Sequence, residues 1–250
     1  MTLTAERVSM AFGGLVALDD VTLTVPDRRI VGLIGPNGAG KTTLFNCLTG
    51  LYAPTGGRVL LDGRPLAADP AEAMGNGVSR TFQNIRLFPG MSALDNVLVG
   101  RHTRIRQGLL SALLHGPGFR RSEAAAIERA RTELAFVGLR PEGGTPARSL
   151  PYGDQRRLEI ARALAGDPAV LMLDEPTAGM NGQETTAMRT LIGAIRDRGI
   201  AVVVIEHDTK FIFSLCDHVH VLVRGRMLAD GPPGTVRADP RVIEAYLGTT

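Results

Sequence analysis

One short stretch restricts this chain more than any other. Gly35-Pro36-Asn37-Gly38-Ala39-Gly40-Lys41-Thr42 fits the pattern G-x-x-x-x-G-K-[ST] and follows directly on the apolar run Ile30 to Ile34. The residues behind it, Thr43 to Leu51, suit a helix. Strand, glycine-rich turn and helix in that order build a concave row of backbone N–H groups that can surround an anion. The helix N-terminus adds its positive end. Lys41 brings a mobile cation and Thr42 a hydroxyl able to ligate Mg²⁺, so the stretch is expected to hold the phosphates of a nucleotide.

A motif of that kind needs an α/β sheet behind it, and the apolar runs supply one. Ile30 to Ile34, Val59 to Leu61, Val170 to Leu173, Ala201 to Ile205 and Val219 to Val223 read as short buried strands. Helical spacing appears between them, as in Met188, Leu191, Ile192 and Ile195 with Gly199 as a stop. Alternation of strand and helix predicts a mostly parallel sheet covered on both faces. The opening segment, with Leu3, Val8, Val21, Leu23 and Val25, alternates as antiparallel strands do. From about Ser92 to Leu139 only helical patterns occur, with one helix over Ala124 to Val137 and breaks at Gly108 and Gly116-Pro117-Gly118.

The phosphate cradle calls for carboxylates, and Val170-Leu171-Met172-Leu173-Asp174-Glu175 is an apolar strand ending in two of them. Ligands of open parallel sheets collect at the carboxyl ends of strands, so both acids are expected beside the phosphates. Asp174 is suited to supporting a metal ion, and Glu175 to polarising an attacking water as general base.

Composition narrows the setting. A net charge of +3 in 250 residues predicts no preference for nucleic acid. The two cysteines, Cys47 and Cys216, lie in separate apolar segments and read as small buried hydrophobes in a reducing compartment. The first residues lack the apolar core of a signal peptide, and no window of 18 apolar residues occurs. Service to a membrane would therefore come from the cytoplasmic side, through a partner.

With further markers in the right order, the chain resembles the ATPase subunit of ATP-binding-cassette (ABC) transporters. Gln83, in Thr81-Phe82-Gln83-Asn84, matches that family's Q-loop. Leu150-Pro151-Tyr152-Gly153-Asp154-Gln155-Arg156-Arg157, ahead of a helix with Leu158, Ala161 and Ala165, resembles its signature segment. His207, in Ile205-Glu206-His207-Asp208, matches the switch histidine, and Phe12 the position whose ring stacks on adenine. Ala178-Gly179-Met180-Asn181 falls at the D-loop. The resemblance implies a single ABC ATPase domain over 1–250, a P-loop NTPase core of 1–91 and 150–250, and an inserted helical lobe of 92–149. It assigns ATP to Phe12, Gly35, Pro36, Asn37, Gly38, Ala39, Gly40, Lys41, Thr42 and Thr43. Mg²⁺ falls to Thr42, Gln83 and Asp174, and hydrolysis to Glu175, His207 and Gln83. His218 and His220 keep a structural reading.

The stretch Ser79 to Phe88, the segments Gly108 to Leu114 and Phe119 to Arg121, Tyr152, Asn181 and the ending Ile243-Glu244-Ala245-Tyr246-Leu247-Gly248 resemble the branched-chain amino-acid uptake branch, in its ATPase with the longer helical insert. That branch implies a Mg-dependent ATPase coupled to amino-acid import, peripheral on the cytoplasmic face of the membrane. A second ATPase subunit, copy or paralogue, completes each site, with Pro151, Tyr152, Gly153 and Asp154 serving the partner's nucleotide. Two permease subunits and, indirectly, a solute-binding protein follow, and the solute is theirs to choose. Arg101, Arg104, Arg106, Arg120 and Arg121 form a basic neighbourhood that could meet acidic groups or lipid heads. Three departures stand out: Pro151 where the wider family has Ser, Asp154 for Gln or Glu, and Asn181 for Asp. The alternatives are an ATPase for lipid or lipopolysaccharide export, a soluble non-transport cassette protein, and a scaffold with a dead site, the last opposed by Lys41, Asp174, Glu175 and His207.

Overall fold

Alternating burial governs the first strands. Along β1 (Leu3–Phe12) the residues Leu3, Ala5, Val8 and Met10 face inward, and along β2 (Leu15–Val25) Val21, Leu23 and Val25 do the same. The two pair antiparallel, with Leu3 opposite Val25 and Ala5 opposite Leu23. β4 (Gly56–Leu61) joins the other edge of β1 and a short β5 (Arg64–Pro65) closes the order β2-β1-β4-β5. The run Val59 to Leu61 thus belongs to this antiparallel sheet, because its register sets Val59 against Ala5 and Leu61 against Leu3.

This computed structural model describes residues 1–101 and 117–247. The backbone gathers into two compact units, one of 1–80 with 169–250 and one of 81–168. The second is wider than a lobe of 92–149, because Arg156 and Glu159 bond the backbone of residues 82–86 to the helix that bears them.

In the first unit a second sheet has the order β10-β9-β3-β8-β7-β6. β3 (Ile30–Ile34), β8 (Ala201–Ile205) and β7 (Val170–Asp174) are buried at every residue, as parallel strands covered on both faces are. β9 (His218–Val223), β3, β8, β7 and β6 (Val78–Arg80) run parallel, and β10 (Arg226–Gly231) returns antiparallel as an edge. The mostly parallel α/β core and the antiparallel N-terminal part are as the sequence predicts. α1 (Lys41–Leu48) buries Leu44, Phe45 and Leu48. α2 (Pro70–Gly75) starts with Pro at its first position and is capped by Asp69, which accepts from the Ala71 N–H at 2.8 Å.

The second unit holds α3 (Ala93–Arg101), α4 (Pro117–Phe136) and α5 (Tyr152–Leu164). Arg101 donates to Asp167 at 2.8 Å and to the Ala165 carbonyl at 3.2 Å, so this member of the basic neighbourhood is committed within its own unit. Arg104, Arg106 and the segment Gly108 to Leu114 lie outside the described residues, as do the side chains of Arg120 and Arg121. Among the described residues no helix is long and apolar enough to cross a membrane.

The remaining helices of the first unit begin on caps. Asn181 and Glu184 form a reciprocal capping box at the start of α6 (Gly182–Asp197), and Asp208 caps α7 (Thr209–Leu215). α8 (Pro233–Ala238) and α9 (Pro240–Leu247) follow β10. Cys47 and Cys216 are buried free thiols, with burial pushing Cys47 up to about 11 and Cys216 higher still. His218 pairs with Asp230 at 3.2 Å, while burial and then the neighbouring His218 push His220 down to about 4.

Candidate nucleotide-binding site

The cradle rises from the carboxyl end of β3. Gly35 has φ +154°, and a Cβ there would lie 2.0 Å from the Leu222 carbonyl oxygen on the neighbouring strand, so no other residue fits. The turn closes with the Ala39 N–H donating to the Pro36 carbonyl at 3.2 Å, and α1 starts at Lys41. Lys41 Nζ donates to the carbonyls of Gly35 at 2.6 Å and Pro36 at 3.0 Å. Burial pushes this ammonium below the ordinary lysine range, and the carboxylates of Glu175 and Asp174 pull it back up. Those opposing effects put both acids within electrostatic reach of the lysine. Thr42 and Thr43 follow in the first turn, Thr42 exposed.

Strand register aligns the rest. Leu33 of β3 pairs with Ile205 of β8, which pairs with Asp174 of β7, so the three strands end at one level. β8 lies between the cradle strand and the acidic strand, and His207 sits two residues beyond its end. Glu175 adopts φ +49°, a left-handed backbone rare outside glycine, and its N–H donates to the Ile205 carbonyl at 2.9 Å. In this conformation Glu175 Oε1 lies 2.6 Å from His207 Nε2. At that distance the imidazole and the carboxylate hydrogen-bond directly, which fixes how the two side chains face each other.

Two supports lie under these side chains. Glu206 is buried, and its carboxylate accepts from the Thr177 N–H at 2.8 Å, the Thr177 hydroxyl at 2.5 Å and the His207 N–H at 3.2 Å. Arg80, on β6, reaches Asp174 Oδ2 at 3.4 Å, Asn46 Oδ1 at 2.7 Å and Thr49 Oγ1 at 3.2 Å, and stands over the Phe45 ring. Phe12, at the end of β1, is 43% exposed and meets Tyr52 in a T-shaped pair with centroids 5.5 Å apart.

The second unit brings Gln83 and the segment Pro151 to Asp154 together through Arg156. This buried guanidinium donates to the carbonyls of Phe82 at 2.9 Å and Gln83 at 2.5 Å and to the Tyr152 hydroxyl at 2.9 Å. Glu159, also buried, accepts from the N–H groups of Phe82 and Arg86 and is flanked by Arg156 and Arg162; burial raises its carboxyl above the usual range. Pro151 occupies the N-cap of α5 and offers no side-chain bond, Gly153 is buried, and Asp154 pairs closely with Arg157.

A model of the family described as "ABC transporter" matches residues 18–178. The chain belongs to the ABC transporter family. A second model, "Branched-chain amino acid ATP-binding cassette transporter", matches residues 226–250. The chain is 47% identical over 248 residues to LivG of Salmonella typhimurium, a high-affinity branched-chain amino acid transport ATP-binding protein, covering 98% of this chain and 97% of LivG. Among solved structures it is similar to the ADP conformation of MJ1267, an ATP-binding cassette of an ABC transporter. There the TM-score is 0.85 at 30% identity, covering 99% of each chain. It is also similar to MJ0796, a bacterial ABC transporter cassette of dimeric structure, with a TM-score of 0.77 at 25% identity over 92% of this chain and 98% of that one.

Reading this ABC cassette from its sequence missed Arg80, Arg156, Glu159 and Glu206. Arg156, Glu159 and Glu206 are buried and Arg80 half-buried, and each has partners far along the chain or on another element. A weak signal existed for Glu159, which sits between Leu158 and Ile160 on the inward side of α5. Nothing local marks Arg80, whose acidic partner is 94 residues away.

Proposed function

We propose that this chain is the ATP-hydrolysing subunit that powers a membrane importer of branched-chain amino acids. One observation carries the reading: the cradle, the pair Asp174 and Glu175, and His207 gather at the carboxyl ends of three adjacent strands, with Glu175 2.6 Å from His207. The likeness to LivG over 98% of the chain supports the solute class. No observation among the described residues favours export or a soluble, non-transport role.

In this reading the turn Gly35 to Lys41 wraps the phosphates with the backbone N–H groups it has, Pro36 offering none, with Thr43 beside them, and Phe12 stacks on adenine. Lys41 exchanges its carbonyl partners for phosphate oxygens. The Thr42 hydroxyl and the Asp174 carboxylate are hard oxygen donors of the kind Mg²⁺ takes, and with Gln83 they would hold it; the bound ion would neutralise phosphate charge. Glu175 accepts the proton of the attacking water, and His207 orients Glu175 and meets the terminal phosphate. A site so built is half complete, and a second cassette supplies its Pro151-to-Asp154 segment; the dimeric structure of MJ0796 supports pairing. Pro151, with neither hydroxyl nor N–H, serves that partner less well than Ser would. The helical lobe of 92–149 meets two permease subunits at the cytoplasmic face of the membrane.

Glu175→Gln, assayed as purified chain and in the reconstituted transporter, should lower ATP turnover by roughly 10²- to 10⁴-fold, the usual worth of a general base, with ATP still bound. Turnover at the original rate would overturn the assignment. Lys41→Ala should lose nucleotide affinity itself.

A further inference from the structure

His218 and His220 alternate with valines along β9, and the phosphate chemistry uses neither. Two residues apart on a strand, they share one face, and their rings stand 4.8 Å apart between centroids. The register sets Asp230 of β10 directly opposite His220, so its carboxylate comes to the same face. His218 Nε2 lies 3.2 Å from Asp230 Oδ2. One ring nitrogen of each histidine and one carboxylate oxygen all fall within 4.8 Å of one another.

A plain histidine–aspartate ion pair accounts for His218 and leaves His220 unexplained. That ring is 5% exposed, and neither of its nitrogens has a hydrogen-bond partner. Burial, then His218, keep it neutral, and the opposing pulls of Asp230 and the Thr24 backbone stop short of a hydrogen bond. A buried polar group without a partner is costly and rare, and a bound ion is one of the few things that offset it. Two imidazoles and a carboxylate are donors that suit Zn²⁺ and its neighbours among first-row divalent ions, whereas Mg²⁺ takes oxygen. Donors on a tetrahedral zinc, with bonds of about 2.0–2.1 Å, stand about 3.3 Å apart, a spacing that His218 and Asp230 already have. His218 is half-buried and Asp230 exposed, so rotation of these two side chains can close the remaining gap to the packed His220. We propose that His218, His220 and Asp230 form a binding site for a divalent transition-metal ion of the zinc type, which clips the edge strand β10 to β9. Water takes the fourth position. Because His220 also pairs with Leu33 of β3, the clip braces the sheet beside the strand that leads into the cradle.

The test uses the full chain, stripped of metal by chelation and titrated with Zn²⁺ while Mg²⁺ is held in excess. Calorimetry should show one ion taken up per chain, and Tm should rise by about 5–10 °C at free Zn²⁺ about 100 times Kd. His218→Ala and Asp230→Asn, both at side chains open to solvent, should each weaken binding by more than about 10-fold, the least that losing even an outer partner costs. The rise in Tm should shrink with it. Unchanged affinity in either variant overturns the proposal, and binding that is lost instead in His207→Ala belongs to the Glu175–His207 pair. Absence of stoichiometric binding overturns it too, and is the result expected if a buried water serves His220. Should a variant fail to fold, crystals of the zinc-loaded native chain decide. An anomalous zinc peak among the three side chains upholds the site, and a peak elsewhere, or none, refutes it.

Discussion

Replacing Arg80 by Met tests whether the acidic strand end is held by charge. The two side chains are 12% and 6% exposed and approach to 3.4 Å, which at an effective dielectric of 20 is an attraction of about 5 kcal/mol. The same guanidinium also bonds Asn46 and Thr49. Removing one member of a buried pair leaves the other desolvated without that counter-charge, at a cost of about 3–5 kcal/mol. Met fills much of the volume, so the loss should come from charge more than from a cavity. Urea unfolding at pH 7 should show Arg80→Met destabilised by about 3–5 kcal/mol. The decisive measurement adds Asp174→Asn: with the carboxylate gone, the arginine is missed less, and the double variant should recover about 1–3 kcal/mol relative to additivity. A loss below 1 kcal/mol for the single variant, or strict additivity in the cycle, would refute the reasoning.

Glycine positions in the cradle should separate by what stands behind them. Gly35→Ala drives a Cβ into the Leu222 carbonyl and strains a positive φ, so it should cost upward of about 3 kcal/mol, whereas Gly38→Ala meets nothing within 4 Å and should cost only about 1–2 kcal/mol of strain; equal losses in urea would contradict this. His220 sets a pH dependence. Its folded pKa of about 4 lies below the usual 6.5, so the unfolded chain binds the extra proton and stability falls as pH drops from about 6.5 to 4. The fall is about 3 kcal/mol, and His220→Leu should remove that part of the slope; an unchanged pH profile would sink the claim.

The strand, turn and helix of the cradle were legible from residues alone because they need consecutive ones: a glycine-rich turn cannot be assembled from distant parts. The same holds for Asp174 and Glu175, which end a five-residue buried strand, and for the capped helices. β6 escaped notice since three residues are too few to show a period. The run Val59 to Leu61 showed its burial in the sequence, though not its sheet, because an apolar triplet looks alike in parallel and antiparallel surroundings. Arg80, Arg156 and Glu159 were invisible for a different reason. A charged residue reads as solvated until its distant partner is known, and burial reverses that reading only in three dimensions. Asn181 is better understood with the structure in hand: it caps α6 as Asp would, without the charge.

Glu206 has a mechanical consequence. It clasps Thr177 from the end of β8, while the Glu175 N–H grips the Ile205 carbonyl from the end of β7. The two strand ends are stitched twice across one gap, like boards joined by two pegs. Both stitches tie the segment that leads into the loop 177–181 to the end of β8, beside the contact of Glu175 with His207. In the proposed reading of Glu175 and His207, that stitching makes the end of β7 and the end of β8 one piece beneath them.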